Sequence, residues 1–301
     1  MQLLENHLTS AQREIADFYN ENGYYIYENA FSPEEIAQLR EETVRICAGE
    51  VGDVRGAEQG RREGESDDEL LRRFLCIHFP HKISDVMYRA LAHPSIVETL
   101  TACIGPNVKA MQSMLFIKAA GKPGQAWHQD EDYIPTRDRS LAGAWIAMDD
   151  ATVENGCLWI IPGSHKPGIL WEQEWHGDKR FDCSWESVNF PYGDEDAVPV
   201  EVKAGTVVFF NGYTLHRSLP NVAKSGYRRA LVNHYMSAES HLPWFSADHG
   251  HIAKLDHRDI VMIAGGDPYA YKGTVNTHRP HVRAAGDGGC YAGDKELVYS
   301  D

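Results

Sequence analysis

The chain has 301 residues, 43% hydrophobic and 24% charged, proportions that suit a globular protein and exclude a disordered or fibrous one. Asp and Glu (44) outnumber Lys and Arg (29), giving a formal charge of -15; a surface of that sign repels phosphate backbones and anionic headgroups, so neither nucleic acid nor membrane is the expected partner. No run approaches the ~18 to 20 apolar residues that cross a bilayer, and MQLLENHLTS carries acid and polar groups where a secretory leader is apolar, which predicts a cytoplasmic protein.

In chain order, LTSAQREIADFYNENG predicts a helix capped by Thr9 or Ser10, with Ile15, Phe18 and Tyr19 at helical spacing and Gly23 at its end. YYIYENAF reads as a short strand. FSPEEIAQLREETVRICA predicts a second helix: Ser32 caps it, Pro33 takes the first position, and Ile36, Leu39, Val44 and Ile46 supply the buried face. Residues 51 to 70 hold too few apolar side chains to order themselves and read as a mobile loop, long enough to act as a lid. LAHPSIVETLTACIG is a third amphipathic helix. After it the pattern turns to β-rich runs: VKAMQSMLFIKA, LAGAWIAMDDA, CLWIIPG, VPVEV, GTVVFFNG and YRRALVNHYMSA. Their spacing suits a sandwich or barrel. The expected division is one catalytic domain over 1–301, with a helical cover and first strands at 1–110, a β core at 111–238 and a C-terminal wrap at 239–301.

The six cysteines, at 47, 76, 103, 157, 183 and 290, include no CxxC pair and read as reduced thiols. The 15 histidines are more informative. In WHQDEDY, His128 and Asp130 are two apart, so on a strand they share a face. Far downstream, His216 follows the apolar run GTVVFFNG and can lie opposite them in an antiparallel double sheet. Two histidines and one carboxylate hold Fe(II) on one side and leave open positions on the other. The next strand begins with two arginines, of which alternation sends one inward; with Arg228 go Ala230, Val232, His234 and Met236, and with Arg229 go Tyr227, Leu231, Asn233 and Tyr235. A buried guanidinium needs an anionic partner, and a dicarboxylate cosubstrate supplies one.

These residues resemble the phytanoyl-CoA hydroxylase-like Fe(II)/2-oxoglutarate dioxygenases. The resemblance is carried by FIKAAGKPGQAWHQDEDY, AWIAMDDATVENGCLWIIPGSHKPG and GTVVFFNGYTLHRSLPNVAKSGYRRALVNHY, and extends more weakly back to NGYYIYENAFSPEEIAQLR. It implies a mainly β fold with flanking helices, built on a double-stranded β-helix (jelly-roll, cupin-like) core. It also implies that His128, Asp130 and His216 bind Fe(II), that Arg228 assisted by Ser218 binds the distal carboxylate of 2-oxoglutarate, and that O2 is the second cosubstrate. Met114 and Trp145 would line the cosubstrate pocket and Gln112 would make a polar contact. The lysine that some members contribute from upstream has no matching position; Lys82 is a poor candidate. Because Asp130 is present where the family's halogenases carry a small residue, the resemblance implies hydroxylation or another oxidation rather than halogenation.

Other features read more plainly. Asp248, His249 and His251 form a DHGH run that reads as loop, His165 reads as structural, and His234 shares the inward face of its strand. Trp171, Trp175, Phe181, Trp185, Phe190 and Tyr192 read as a satellite core that could also wall the pocket. Gly156 and Gly163 read as turn glycines. Two alternatives share the metal residues or the core: another cupin-like metal enzyme, such as an isomerase or a cosubstrate-independent oxygenase, and a catalytically silent binding protein. An acidic chain is a poor host for the phosphates of coenzyme A, so the expected substrate is a small free metabolite.

Overall fold

The computed structural model describes residues 8–136, 138–182, 185–240, 258–276 and 278–282. Helix α1 (Ser10–Asn22) starts at Thr9, whose hydroxyl accepts from Gln12 N while the Gln12 side chain accepts from Thr9 N, and it ends at Gly23 with φ 79°. Only glycine fits there, because a Cβ would lie 2.4 Å from His165 Nδ1. Helix α2 (Pro33–Cys47) repeats the reciprocal cap with Ser32 and Glu35. The third expected helix is α5 (Pro94–Cys103), which begins three residues inside the predicted run; a separate helix, α4 (Asp85–Leu91), ends at that run's first residue. His93 precedes a proline, which pushes its backbone to ψ 139° and out of the helical region.

An eight-stranded antiparallel sheet carries the fold. Its order is β1 (Tyr24–Tyr27), β10 (Val207–Asn211), β5 (Ala142–Ala147), β12 (Tyr227–Ser237), β3 (Val108–Ala119), β2 (Cys76–His78) and β14 (His281–Val282), with β13 (Val261–Ala264) also on β3. A four-stranded sheet, β4 (Gln125–His128), β11 (His216–Ser218), β6 (Leu158–Ile160) and β9 (Val198–Val200), covers its inner face. Strand alternation sorts the side chains. Val207, Phe209, Ala144, Ile146, Leu231 and Tyr235 join Ile36, Leu39, Ile46, Ile96 and Leu100 of the helices in the larger core, while Val208, Phe210, Trp145, Ala147, Ala230 and Val232 meet Leu158, Ile160 and Val200 between the sheets. This is the expected mainly β architecture with helices on one side.

Segment 51–70 departs from the expected mobile loop. Its Gln59 side chain bonds Val54 N, Ile46 O and Gly52 O, Arg55 exchanges backbone hydrogen bonds with Pro280 and Val282, and helix α3 (Asp67–Arg72) begins inside it. These polar bonds to backbone act beside the burial of Val54 and Leu70 in the larger core. Segment 171–192 forms a hairpin of β7 (Gln173–Trp175) and β8 (Trp185–Ser187). Trp171, Phe190 and Tyr192 pack with Trp127, Ile161, Ala197 and Leu215 as a satellite core.

Between β2 and α4, His81 is buried with Nδ1 2.5 Å from Ser113 Oγ. Burial first, then the neighbouring Lys82, push its pKa from 6.5 down to about 4, against the pull of Asp259. The folded protein therefore refuses a proton that the unfolded chain accepts. Stability is full above the unfolded pKa of 6.5 and falls as pH drops towards about 4, by on the order of 3 kcal/mol. Urea midpoints measured from pH 7 to 4.5 are expected to show this limb in the native chain and to lose it in His81→Asn; an identical limb in both contradicts the assignment.

Candidate active site

Strands β4 and β11 are adjacent, with His216 paired to His128 and the two imidazole centroids 4.1 Å apart. Asp130 is not on a strand as expected: β4 ends at His128, and Asp130 opens the short helix α6 (Asp130–Tyr133). The intervening Gln129 is extended (φ −126°, ψ 125°), which is enough to turn residues 128 and 130 to the same side. Its own amide is fixed on the other side, donating to Ile169 O and Tyr213 O and accepting from Trp171 N.

One ligand atom each from His128, Asp130 and His216 lie within 4.8 Å of one another. Asp130 Oδ1 is 3.6 Å from His128 Nε2 and 3.7 Å from His216 Nε2. The tautomers follow from the backbone: His128 Nδ1 is 2.8 Å from Ala126 O and His216 Nδ1 is 3.0 Å from Thr214 O. A carbonyl only accepts, so each Nδ1 carries the proton and each Nε2 lone pair faces the aspartate. Burial opposes the charge on Asp130, but positive charge on His216, His234 and His128 when those rings are protonated, together with the hydrogen bond from His234, outweighs it and holds the carboxyl well below the usual range. Two neutral imidazole nitrogens and one carboxylate on one side of a cleft fit Fe(II).

The cleft encloses ≈570 Å³, its open mouth included. Met114, Trp145, Ser218 and Arg228 line it as expected, joined by Lys118, Phe116, Leu158, Phe210, Val232 and His234. Register on β12 is as expected: Arg228 faces the cleft, whereas Arg229 turns outward and pairs with Asp149 through two bonds of 2.8 Å. Arg228 is 2% exposed, and burial pushes its pKa down to about 10. Among the described residues it has no ion pair with a carboxylate; its Nε donates to Gly156 O at 3.1 Å. Gly156 is in the left-handed region (φ 80°), and a Cβ would stand 2.3 Å from Leu219 O, so glycine is required where this carbonyl meets both cations.

The second cation is Lys118, the residue that sequence reasoning missed. It is 2% exposed and donates to Ser218 Oγ (3.0 Å), Leu219 O (2.8 Å) and Gly156 O (3.4 Å); burial, then the adjacent Arg228, push its pKa well down. The signal was present: Lys118 follows Met114 and Phe116 at strand spacing in an otherwise apolar run. Lys82 instead pairs with Asp259 and lies outside the cleft lining. So does Gln112, whose amide is 3.1 Å from His78 Nδ1. None of the six aromatic residues of 171–192 lines the cleft, and no residue of 51–70 does. His165 is structural, with Nε2 on Asn20 O. The DHGH run lies outside the described residues.

Residues 19–230 match the family model for phytanoyl-CoA dioxygenase (PhyH). The peroxisomal phytanoyl-CoA dioxygenase of Rattus norvegicus is 30% identical over 259 residues, which cover 78% of this chain and 71% of that one. Two solved structures share the fold at lower identity: the epimerase SnoN in complex with Fe3+, alpha ketoglutarate and nogalamycin RO (TM-score 0.60, 21% identity, 92% and 97% of the two chains), and EctD from S. alaskensis with 2-oxoglutarate and 5-hydroxyectoine (0.58, 22%, 80% and 81%). Among the described residues no helix is long and apolar enough to cross a membrane. The chain belongs to the phytanoyl-CoA dioxygenase family and is a non-haem Fe(II)/2-oxoglutarate-dependent dioxygenase.

Proposed function

We propose that the enzyme hydroxylates an unactivated C–H bond of a small molecule, and that His128, Asp130 and His216 hold its iron. One observation carries the residue assignment: the three metal donors and the two buried cations Arg228 and Lys118 face one cleft. Iron with 2-oxoglutarate bound supplies the two-electron oxidation of the substrate by O2, with release of succinate and CO2. The chain's own residues orient that chemistry. Arg228 gives Nε to Gly156 O and keeps its two terminal nitrogens for the distal carboxylate of 2-oxoglutarate. Ser218 Oγ accepts from Lys118, so its hydroxyl proton is directed to the same carboxylate.

Met114, Phe116, Trp145, Leu158 and Phe210 form apolar walls that exclude water. The intact carboxylate at Asp130 supports hydroxylation over halogenation. Strands from β1 near the N-terminus to β14 at residue 281 share one sheet, which supports one catalytic domain. The acidic surface supports a small free metabolite as substrate. The test is a screen of free acids, amines and acyl-CoA thioesters, phytanoyl-CoA among them, for compounds that stimulate succinate release, followed by mass detection of product. The expected product is a free metabolite heavier by one oxygen atom; stimulation by thioesters alone, or a product without added oxygen, contradicts the reading.

A further inference from the structure

His234 is six residues beyond Arg228 on β12 and faces the same cleft. Across the sheet it is registered with Gln112 on β3 and Gly143 on β5. Gly143 makes room for Phe210, since a Cβ there would fall 2.4 Å from that ring. The Phe210 ring lies 4.6 Å from the His216 imidazole. His234 is 4% exposed, and its Nε2 lies 3.0 Å from Asp130 Oδ2.

The two oxygens of Asp130 therefore have separate duties. Oδ1 faces the Nε2 atoms of His128 and His216, and Oδ2 faces His234. A carboxylate only accepts, so His234 Nε2 carries the proton. Its Nδ1 is buried with no hydrogen-bond partner among the described residues, and burying a polar nitrogen unsatisfied costs about 1–3 kcal/mol. An apolar side chain would fill the same space without that cost. Among the described residues the ring's one hydrogen bond is to the carboxylate, and His234 stands outside the three-donor cluster.

We propose that His234 is a positioning residue: by holding Oδ2 it fixes Asp130 as a one-oxygen ligand and keeps the carboxylate from turning both oxygens to the metal. This rests on the triad being the metal site. A carboxylate that chelates through both oxygens fills a position the cosubstrate needs, and one left to rotate binds the metal less tightly. Outer hydrogen bonds of this kind are worth about 10- to 100-fold in metal affinity.

The test replaces His234 by Gln, which retains an N–H donor, and by Met, which has similar bulk and none. Co(II) affinity and the visible Co(II) spectrum are measured on the purified full-length chain, beside wild type and His128→Ala. The expected result is that His234→Met loses about 10- to 100-fold in Co(II) affinity with an altered spectrum, while His234→Gln stays within a few-fold of wild type. Steady-state kinetics should divide the same way, KM for 2-oxoglutarate rising in the Met variant, where the carboxylate contests a position the cosubstrate needs, and staying within a few-fold of wild type in the Gln variant. Equal Co(II) affinity and spectrum in the Met variant, the Gln variant and wild type overturn the proposal. Its failure is distinguishable from failure of the triad, which shows instead as unimpaired Co(II) binding by His128→Ala.

Discussion

Replacing Asp130 with Ala is expected to abolish Fe(II) binding and to lower 2-oxoglutarate turnover by more than ~100-fold, the upper range for loss of an outer hydrogen bond alone. His128→Ala and His216→Ala should match it. The three side chains converge from β4, α6 and β11, and each supplies a donor the others cannot replace: two imidazole nitrogens oriented by backbone carbonyls, and one carboxylate. The strand pairing of β4 with β11 runs through backbone groups, so the fold should persist. Metal titration and succinate release, beside circular dichroism, check this; any of the three variants turning over within tenfold of wild type contradicts the ligand assignment.

Arg228→Ala is expected to raise KM for 2-oxoglutarate by roughly 10- to 100-fold. Hydrogen bonds to charged groups contribute about 1.5–3 kcal/mol, and each 1.4 kcal/mol is about a factor of ten. The effect should be specific to register, because Arg229, one residue on, is committed to Asp149 on the outer side; Arg229→Ala should leave KM nearly unchanged. Lys118→Met should raise KM as well, since Ser218 Oγ then loses the donor that directs its proton inward. Equal KM shifts in Arg228→Ala and Arg229→Ala would show that the strand face is wrongly assigned.

Much of this was legible in the residues because period-2 alternation fixes faces wherever a strand is long. The run VKAMQSMLFIKA is β3 to the residue, and alternation on β12 separates Arg228 from Arg229. Caps and prolines marked helix ends equally well, except that the proline in LAHPSIV acted as a break inside an apolar run. What stayed hidden was local or long-range. β2 is three residues long, too short to show a period. The order in 51–70 comes from Gln59 and from pairing with residues 280 and 282, partners no local pattern reveals. The start of a helix at Asp130 is likewise a local event, and it did not matter to the site because extended geometry at Gln129 is all the convergence requires.

Lys118 was overlooked for a different reason. A lysine at the end of an apolar strand usually extends to solvent, but this one ends on Gly156 O, Ser218 Oγ and Leu219 O, acceptors brought there by turns far along the chain. Its partner glycine illustrates the same point: a turn residue by its φ, Gly156 is also the place where two buried cations share one carbonyl.

The most direct test is an anaerobic crystal structure with Fe(II) and 2-oxoglutarate, using the iron anomalous signal to place the metal. The account predicts one iron bound by His128, Asp130 and His216, with the far carboxylate of 2-oxoglutarate on Arg228 and Ser218. Iron at other residues, or a cosubstrate carboxylate directed away from Arg228, would contradict it.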